Sequence, residues 1–244
     1  METLKTIWKF LKNFRYLKGM MQKTVTSVVS IENPHGDYYV IKLKPAEGLF
    51  WNSGEHVMLK LPDHETVRKE YRILSIASIR QEGVLLFGTR TGKETSAFKK
   101  VLLSLKPGDP VSVQGPFGWF RIRDEHSPIV LFAGGVGITP VRALVKELAH
   151  SQARPVHIVY SSSDFYLFGD EIEDIVDNNP SMTLYSAADR EETQVQLAKL
   201  TDKYGNQAYY YMSSSPGVLD SVAKLLKSKG ISGKRLIDDT MKGY

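Results

Sequence analysis

The sequence contains no cysteine. That excludes a disulfide framework, a thiol nucleophile, cysteine-ligated zinc and a cysteine-held iron–sulfur cluster within these 244 residues. Long apolar runs are also missing: none approaches the roughly 20 residues a membrane-spanning helix needs. Nor does the body carry an excess of one charge. The net charge is +5, yet residues 1–23 hold six basic side chains (Lys5, Lys9, Lys12, Arg15, Lys18, Lys23) against one acid, Glu2. The remaining residues hold 26 basic and 26 acidic side chains. A nucleic-acid-binding protein presents a basic face on its fold, and this balance argues against one. There are no repeats and no low-complexity segments.

What is present begins with an amphipathic leader. Leu4, Ile7, Trp8, Leu11, Phe14 and Leu17 recur every three or four residues, which predicts one apolar helical stripe with lysines opposite. Charges interrupt the stripe too often for a signal peptide. Two readings stand open: a helix lying on an anionic membrane surface, or one packed on the body or on a second subunit.

From Thr24 to about Asp124, short β-like runs alternate with turns. Val25–Ile31, Tyr38–Leu43, His56–Leu61, Arg72–Ala77, Val84–Thr89 and Pro110–Gln114 are six such runs. Asn33-Pro34-His35-Gly36 and Lys106-Pro107-Gly108-Asp109 carry turn chemistry. This spacing predicts a small antiparallel barrel or sandwich, with one short helix starting near Thr95 and turning Phe98, Val101 and Leu102 inward. After Asp124 the rhythm changes. Pro128–Ala133, Val156–Tyr160, Met182–Tyr185 and Tyr209–Met212 read as strands. Thr139–His150, Gly169–Asp177, Gln194–Tyr204 and Val218–Lys229 read as helices between and after them. Four alternations predict an open parallel sheet covered by helices.

Three segments suit phosphate. Gly134-Gly135-Val136-Gly137-Ile138-Thr139-Pro140 leaves an apolar strand and opens a helix, where glycines permit close backbone approach and the helix terminus offers N–H groups. Arg72-Ile73-Leu74-Ser75 places Arg72 and Leu74 on one strand face, and the Arg72 guanidinium suits an anion. Gly92 followed by Thr95 and Ser96 at a helix start is either a phosphate cradle or a plain helix cap.

In order, Arg-x-x-Ser-x-x-Ser, Gly-x-x-Thr-Ser, Lys-Pro-Gly-Asp, Gly115-Pro116-Phe117-Gly118-Trp119-Phe120, Gly-Gly-x-Gly-x-Thr-Pro and a terminal Gly243-Tyr244 resemble the ferredoxin–NADP reductase superfamily over residues 24–244. The resemblance implies a β + α/β chain: a six-stranded antiparallel flavin-binding barrel, then a Rossmann-like parallel-sheet nucleotide-binding domain. The expected divisions are a basic leader (1–23), an FAD-binding barrel (24–124) and an NAD(P)-binding α/β domain (125–244). It further implies an FAD-dependent NAD(P)H oxidoreductase, in which hydride from NADH or NADPH reaches FAD and electrons go on to a separate acceptor. That acceptor is ferredoxin, flavodoxin, an oxygenase component, a ferric chelate or a quinone. Without cysteine the chain is expected to be a stand-alone member lacking an iron–sulfur domain. No metal, nucleic acid or protein nucleophile is called for, and the expected location is cytoplasmic, with residues 1–23 free to dock on protein or at a membrane surface. The competing reading is a flavin- or nucleotide-binding interaction subunit with little turnover.

By the same resemblance, Arg72 holds the flavin pyrophosphate, and Gly92, Thr95 and Ser96 add contacts. Ser75 sits at the isoalloxazine ring, and Tyr244 covers one flavin face. Gly134, Gly135, Gly137 and Thr139 line the NAD(P)H pyrophosphate and nicotinamide approach. Ser213, before Pro216, stands where relatives have cysteine. Leu74 stands where they have tyrosine, Asp239 where they have glutamate, and Met241 where they have an aromatic. These departures imply slower hydride transfer or a specialised acceptor. At the adenosine end Arg190 suits a 2′-phosphate, Asp189 suits a ribose hydroxyl instead, and Ser161, Ser162 and Ser163 suit either. The balance leans to NADH.

Overall fold

The computed structural model describes residues 14–68, 70–150 and 154–239. Six strands make the first sheet: β1 (Lys23–His35), β2 (Tyr38–Leu43), β3 (His56–Lys60), β4 (Arg72–Ser75), β5 (Leu85–Arg90) and β6 (Pro110–Phe117). They pair antiparallel in the order β4-β3-β6-β1-β2-β5. Just past β4, the Ala77 N–H donates to Leu86 O at 2.7 Å, bringing the two edges together into a barrel. Inward-facing Ile41, Leu43, Val57, Leu59, Phe87, Val111 and Val113 fill it. Helix α1 (Ala97–Ser104) closes one end, dropping Phe98 and Leu102 into that core one turn apart. The turn expected at residues 33–36 comes later. Pro34 lies inside β1 at a register shift, where a strand tolerates a residue that donates no N–H.

The second sheet is fully parallel, in the order β11-β10-β7-β8-β9. Its strands are β7 (Ile129–Gly134), β8 (Val156–Ser161), β9 (Met182–Ala187), β10 (Tyr209–Ser213) and β11 (Leu236–Asp238). The central strands β7 and β8 are buried nearly end to end, because helices cover both faces. These are α2 (Ile138–Ala149), α3 (Gly169–Asp177), α4 (Arg190–Tyr204) and α5 (Pro216–Ser228). Strand order reverses between β7 and β10. In such sheets the crevice at the carboxyl ends of those strands is where ligands bind.

The described end of the leader is a 3-10 helix, Phe14–Met21, packed against β6. Gly118 N–H donates to Tyr16 O at 3.0 Å and Gly115 N–H to Gln22 O at 2.9 Å. A Cβ on Gly19 would stand 1.6 Å from Pro116 O, so only glycine permits this approach. The described residues therefore pack on the body; Leu4, Ile7, Trp8 and Leu11 lie outside them. Among the described residues no helix is long and apolar enough to cross a membrane.

The sheets are pinned across their junction. Arg142 of α2 donates to Ala77 O (2.7 Å) and to Glu82 (2.7 and 3.0 Å) beside the barrel, and to Glu171 of α3 (2.6 Å). Lys146 reaches both carboxylates at 2.9 Å. A second clasp joins Arg90 to Asp37 and Asp164, with Tyr38 Oη donating to Asp164 at 2.9 Å.

Candidate functional site

A cavity of about 540 Å³ opens at the carboxyl ends of the parallel strands. Gly134, Gly135 and Val136 line it from the end of β7 and beyond, Ser161–Ser163 from the end of β8 and beyond, and Ser214 and Ser215 from just past β10. The glycines have separate physical reasons. Gly135 has φ +53°, and a Cβ on Gly137 would lie 2.1 Å from Ser213 O. That close approach is what seats α2 against the end of β10. Gly137 and Thr139 are both buried. The Thr139 Oγ1 donates to Val136 O at 2.8 Å and packs on Gly88 of β5. Thr139 thus joins the two sheets.

At the adenosine end expected from the sequence, Asp189 and Arg190 do line the cavity. Asp189 caps α4, its Oδ1 accepting from Glu192 N at 2.9 Å. Arg190 donates to Ser221 Oγ at 3.1 Å. Pro216 takes the first turn of α5, where a missing N–H leaves nothing unsatisfied.

The junction of the sheets gathers residues from both. Ser75, at the end of β4, and Ser213, at the end of β10, each donate to Asp239 Oδ2, at 3.1 and 3.2 Å. Asp239 follows β11 and donates its N–H to Met212 O at 2.9 Å. On its other side, Asp239 Oδ1 meets His56 Nε2 at 2.6 Å. Nothing in the sequence singles out His56, a lone histidine in a short apolar strand whose partner is 183 residues away. Tyr244 lies outside the described residues.

The barrel's own cluster is basic. Arg72 donates through Nη2 to Ser96 Oγ (3.0 Å) and stacks over Phe98 (5.0 Å). Ser96 caps α1 through Lys99 N, and Thr95 stands just before it. Gly92 has φ +70°, and its N–H is taken by Asp37 Oδ2 at 2.9 Å. Leu74 is buried in the barrel core. Lys99 joins this cluster without any signature in the sequence. Burial, then the neighbouring Arg72 charge, holds its amine below the usual lysine value. Arg72 Nε is buried and has no hydrogen-bond partner among the described residues, although Glu70 lies 3.5 Å from Nη1. Two neighbouring cations with an unused buried donor fit an anion such as a dinucleotide pyrophosphate.

Solved structures share this architecture. A ferredoxin reductase of carbazole 1,9a-dioxygenase superposes with TM-score 0.76 at 20% identity, covering 91% of this chain and 68% of that one. A ferredoxin NADP+ reductase from Neisseria gonorrhoeae with bound FAD and NADP gives 0.74 at 12% identity, covering 89% and 98%. The chain has the fold of the ferredoxin–NADP reductase superfamily. Curated sequences with this likeness include the toluate 1,2-dioxygenase electron transfer component of Pseudomonas putida, 28% identical over 204 residues, or 78% of this chain and 59% of that protein. A flavohemoprotein of Pseudomonas aeruginosa is 34% identical over 139 residues, or 54% of this chain and 34% of that protein. The chain spans less than two thirds of the length of these curated relatives. No family model matches the sequence. Within the superfamily fold, barrel and parallel sheet meet where Ser75, Ser213 and Asp239 converge.

Proposed function

We propose that this chain is an FAD-dependent NAD(P)H oxidoreductase that passes electrons to a separate acceptor. The observation that carries the proposal is the convergence of Ser75 and Ser213, from opposite sheets, on one carboxylate. Ser213 precedes Ser214, which lines the switch-point cavity, and Ser75 shares β4 with Arg72 of the basic barrel cluster. FAD, when bound, supplies the two-electron chemistry, accepting a hydride from nicotinamide. Arg72, Ser96 and Lys99 would hold its pyrophosphate, and Ser75 would face the ring. The cavity beside Gly134 and Gly135 would take the nicotinamide nucleotide. Asp189 at the cavity edge disfavours a 2′-phosphate, and Arg190 is engaged with Ser221, so NADH is the donor proposed.

The names of relatives — electron transfer and reductase components of oxygenases — support an oxygenase component as the acceptor class. The mode of docking of residues 1–23 belongs to the same proposal: protein contact, since Phe14–Met21 already packs on β6. The test is direct. The purified protein should show a flavin band near about 450 nm that bleaches when NADH is added without oxygen. A bound flavin that neither NADH nor NADPH bleaches would favour a binding subunit over a reductase. Leu74, buried in the barrel core, is the observation on that side.

A further inference from the structure

His56 lies on β3 directly across from Ser75. It is 2% exposed, its ring stacks on Phe117 at 6.4 Å, and Gly118 leaves no room beside it: a Cβ there would meet Nδ1 at 2.6 Å. The adjacent Glu55 is paired with Arg121, so the carboxylate facing His56 is Asp239. Among the described residues, three donors converge on Asp239: His56 Nε2 on Oδ1, and the hydroxyls of Ser75 and Ser213 on Oδ2. A carboxylate that accepts three hydrogen bonds acts as acceptor only, so Nε2 carries the shared hydrogen. His56 Nδ1 has no partner among the described residues. A ring hydrogen placed on Nδ1 instead would have nothing among the described residues to receive it.

The serines inherit a polarity from this arrangement. With their hydrogens committed to Oδ2, each hydroxyl offers lone pairs, not hydrogens, to its other side. An oxygen of that kind attracts an N–H and repels a bare nitrogen lone pair.

We propose that His56 is a positioning residue that sets the hydrogen-bond polarity of the site. By holding Asp239 Oδ1 it aims Oδ2 at both serines and keeps Ser75 Oγ an acceptor. The site therefore binds reduced flavin more tightly than oxidised flavin. The inference rests on the reading that FAD lies against Ser75. In taking up two electrons and one proton at N5, FAD replaces a nitrogen lone pair with an N–H, the partner such an oxygen prefers.

The test is the flavin midpoint potential of the FAD-loaded protein. His56→Leu should lower the ratio of reduced-to-oxidised flavin affinity about tenfold, a shift of ~30 mV to more negative potential. His56→Gln, which keeps a donor within reach of Oδ1, should restore at least half of it. In an Asp239→Asn background, His56→Leu should add less than about twofold, because the two act as one unit. An unchanged potential in His56→Leu, or full additivity with Asp239→Asn, overturns the proposal. Should His56→Leu not fold, His56→Asn carries the test: its shorter amide falls short of Oδ1, the same tenfold loss is expected, and no loss overturns the proposal. Nitrogen-15 NMR of the flavin-free protein reads the contact separately. The slowly exchanging ring hydrogen should be on Nε2, and a hydrogen on Nδ1 instead overturns the proposal. A wild-type chain that takes up no FAD defeats the functional reading, and the NMR result then decides the His56–Asp239 contact by itself.

Discussion

Single residues carry two kinds of constraint here, steric and electrostatic. Gly137 is steric: its missing Cβ lets Ser213 O approach, and Gly137→Ala forces backbone apart at the point where α2 meets β10. Overpacking of this kind costs about 1–3 kcal/mol, and a urea midpoint lowered without a change of slope would register it. Arg72 is electrostatic. Its Nε has no hydrogen-bond partner among the described residues, and the Lys99 amine, which donates to Arg90 O, stands in the same cluster, so Arg72→Leu should weaken FAD by about 10- to 100-fold, as expected from losing a charged hydrogen bond of about 1.5–3 kcal/mol. Titration of flavin-free protein with FAD measures this, and unchanged affinity would remove Arg72 from the site. At this scale the sequence is informative where chemistry is local. Glycines at a strand-to-helix turn, and an arginine two residues from Leu74, are visible in the chain itself. His56 and Lys99 are not, because their meaning comes from partners on other elements: Asp239 for one, Arg72 on a neighbouring strand for the other.

Among elements, the pin between α2, α3 and the barrel responds to pH. Burial works to raise the Glu82 and Glu171 carboxyls, but hydrogen bonds from Arg142 and Lys146 outweigh it and hold both below the ordinary glutamate value. A carboxylate with a lowered folded-state value contributes stability that is fully present above its unfolded value of 4.5 and is lost as pH falls below it. The melting temperature should therefore drop as pH falls below about 4.5, and Glu82→Gln should flatten that drop. Arg142→Met leaves two half-buried carboxylates with Lys146 as the cation between them and, among the described residues, only the Ile79 N–H as a further donor to Glu82. Breaking a buried pair from one side costs about 3–5 kcal/mol, and a thermal melt at neutral pH should show a correspondingly large loss. An unshifted melt would mean the network is merely superficial. Element boundaries follow the periodicity closely in places: the residue ranges expected for β2 and α3 are those observed. Strand β11 escapes notice because three residues, Leu236–Asp238, carry no periodicity. The leader misleads in another way. Its stripe predicts an α-helix, but Phe14–Met21 winds as a tighter 3-10 helix, since Gly19 is pressed against Pro116 O and the neighbouring carbonyls are drawn to Gln114, Gly115 and Gly118.

At the scale of the molecule, an antiparallel barrel and a parallel sheet are joined through side chains. Strand rhythm alone separates the antiparallel strands, the last of which is β6 (Pro110–Phe117), from the parallel ones, which begin with β7 (Ile129–Gly134). What rhythm does not show is how they touch, because Thr139 against Gly88 and Tyr38 against Asp164 are side-chain contacts between residues 51 and 126 positions apart. The proposed donor preference belongs at this scale, since Arg90 of the barrel and Arg190 of the parallel sheet line one cavity. Steady-state rates should favour NADH over NADPH, and Asp189→Ser should narrow the gap at least several-fold; a wild-type preference for NADPH would reverse the assignment. The Arg142 pin has one more consequence. Arg142, Lys146 and Glu171 lie after the connection from β6 to β7, and Ala77 and Glu82 lie before it. A gene split between these halves would yield two fragments, one with a buried guanidinium short of a counter-charge and one with a stranded carboxylate. Each fragment should therefore be poorly soluble alone, and co-expression should recover both as a bound pair.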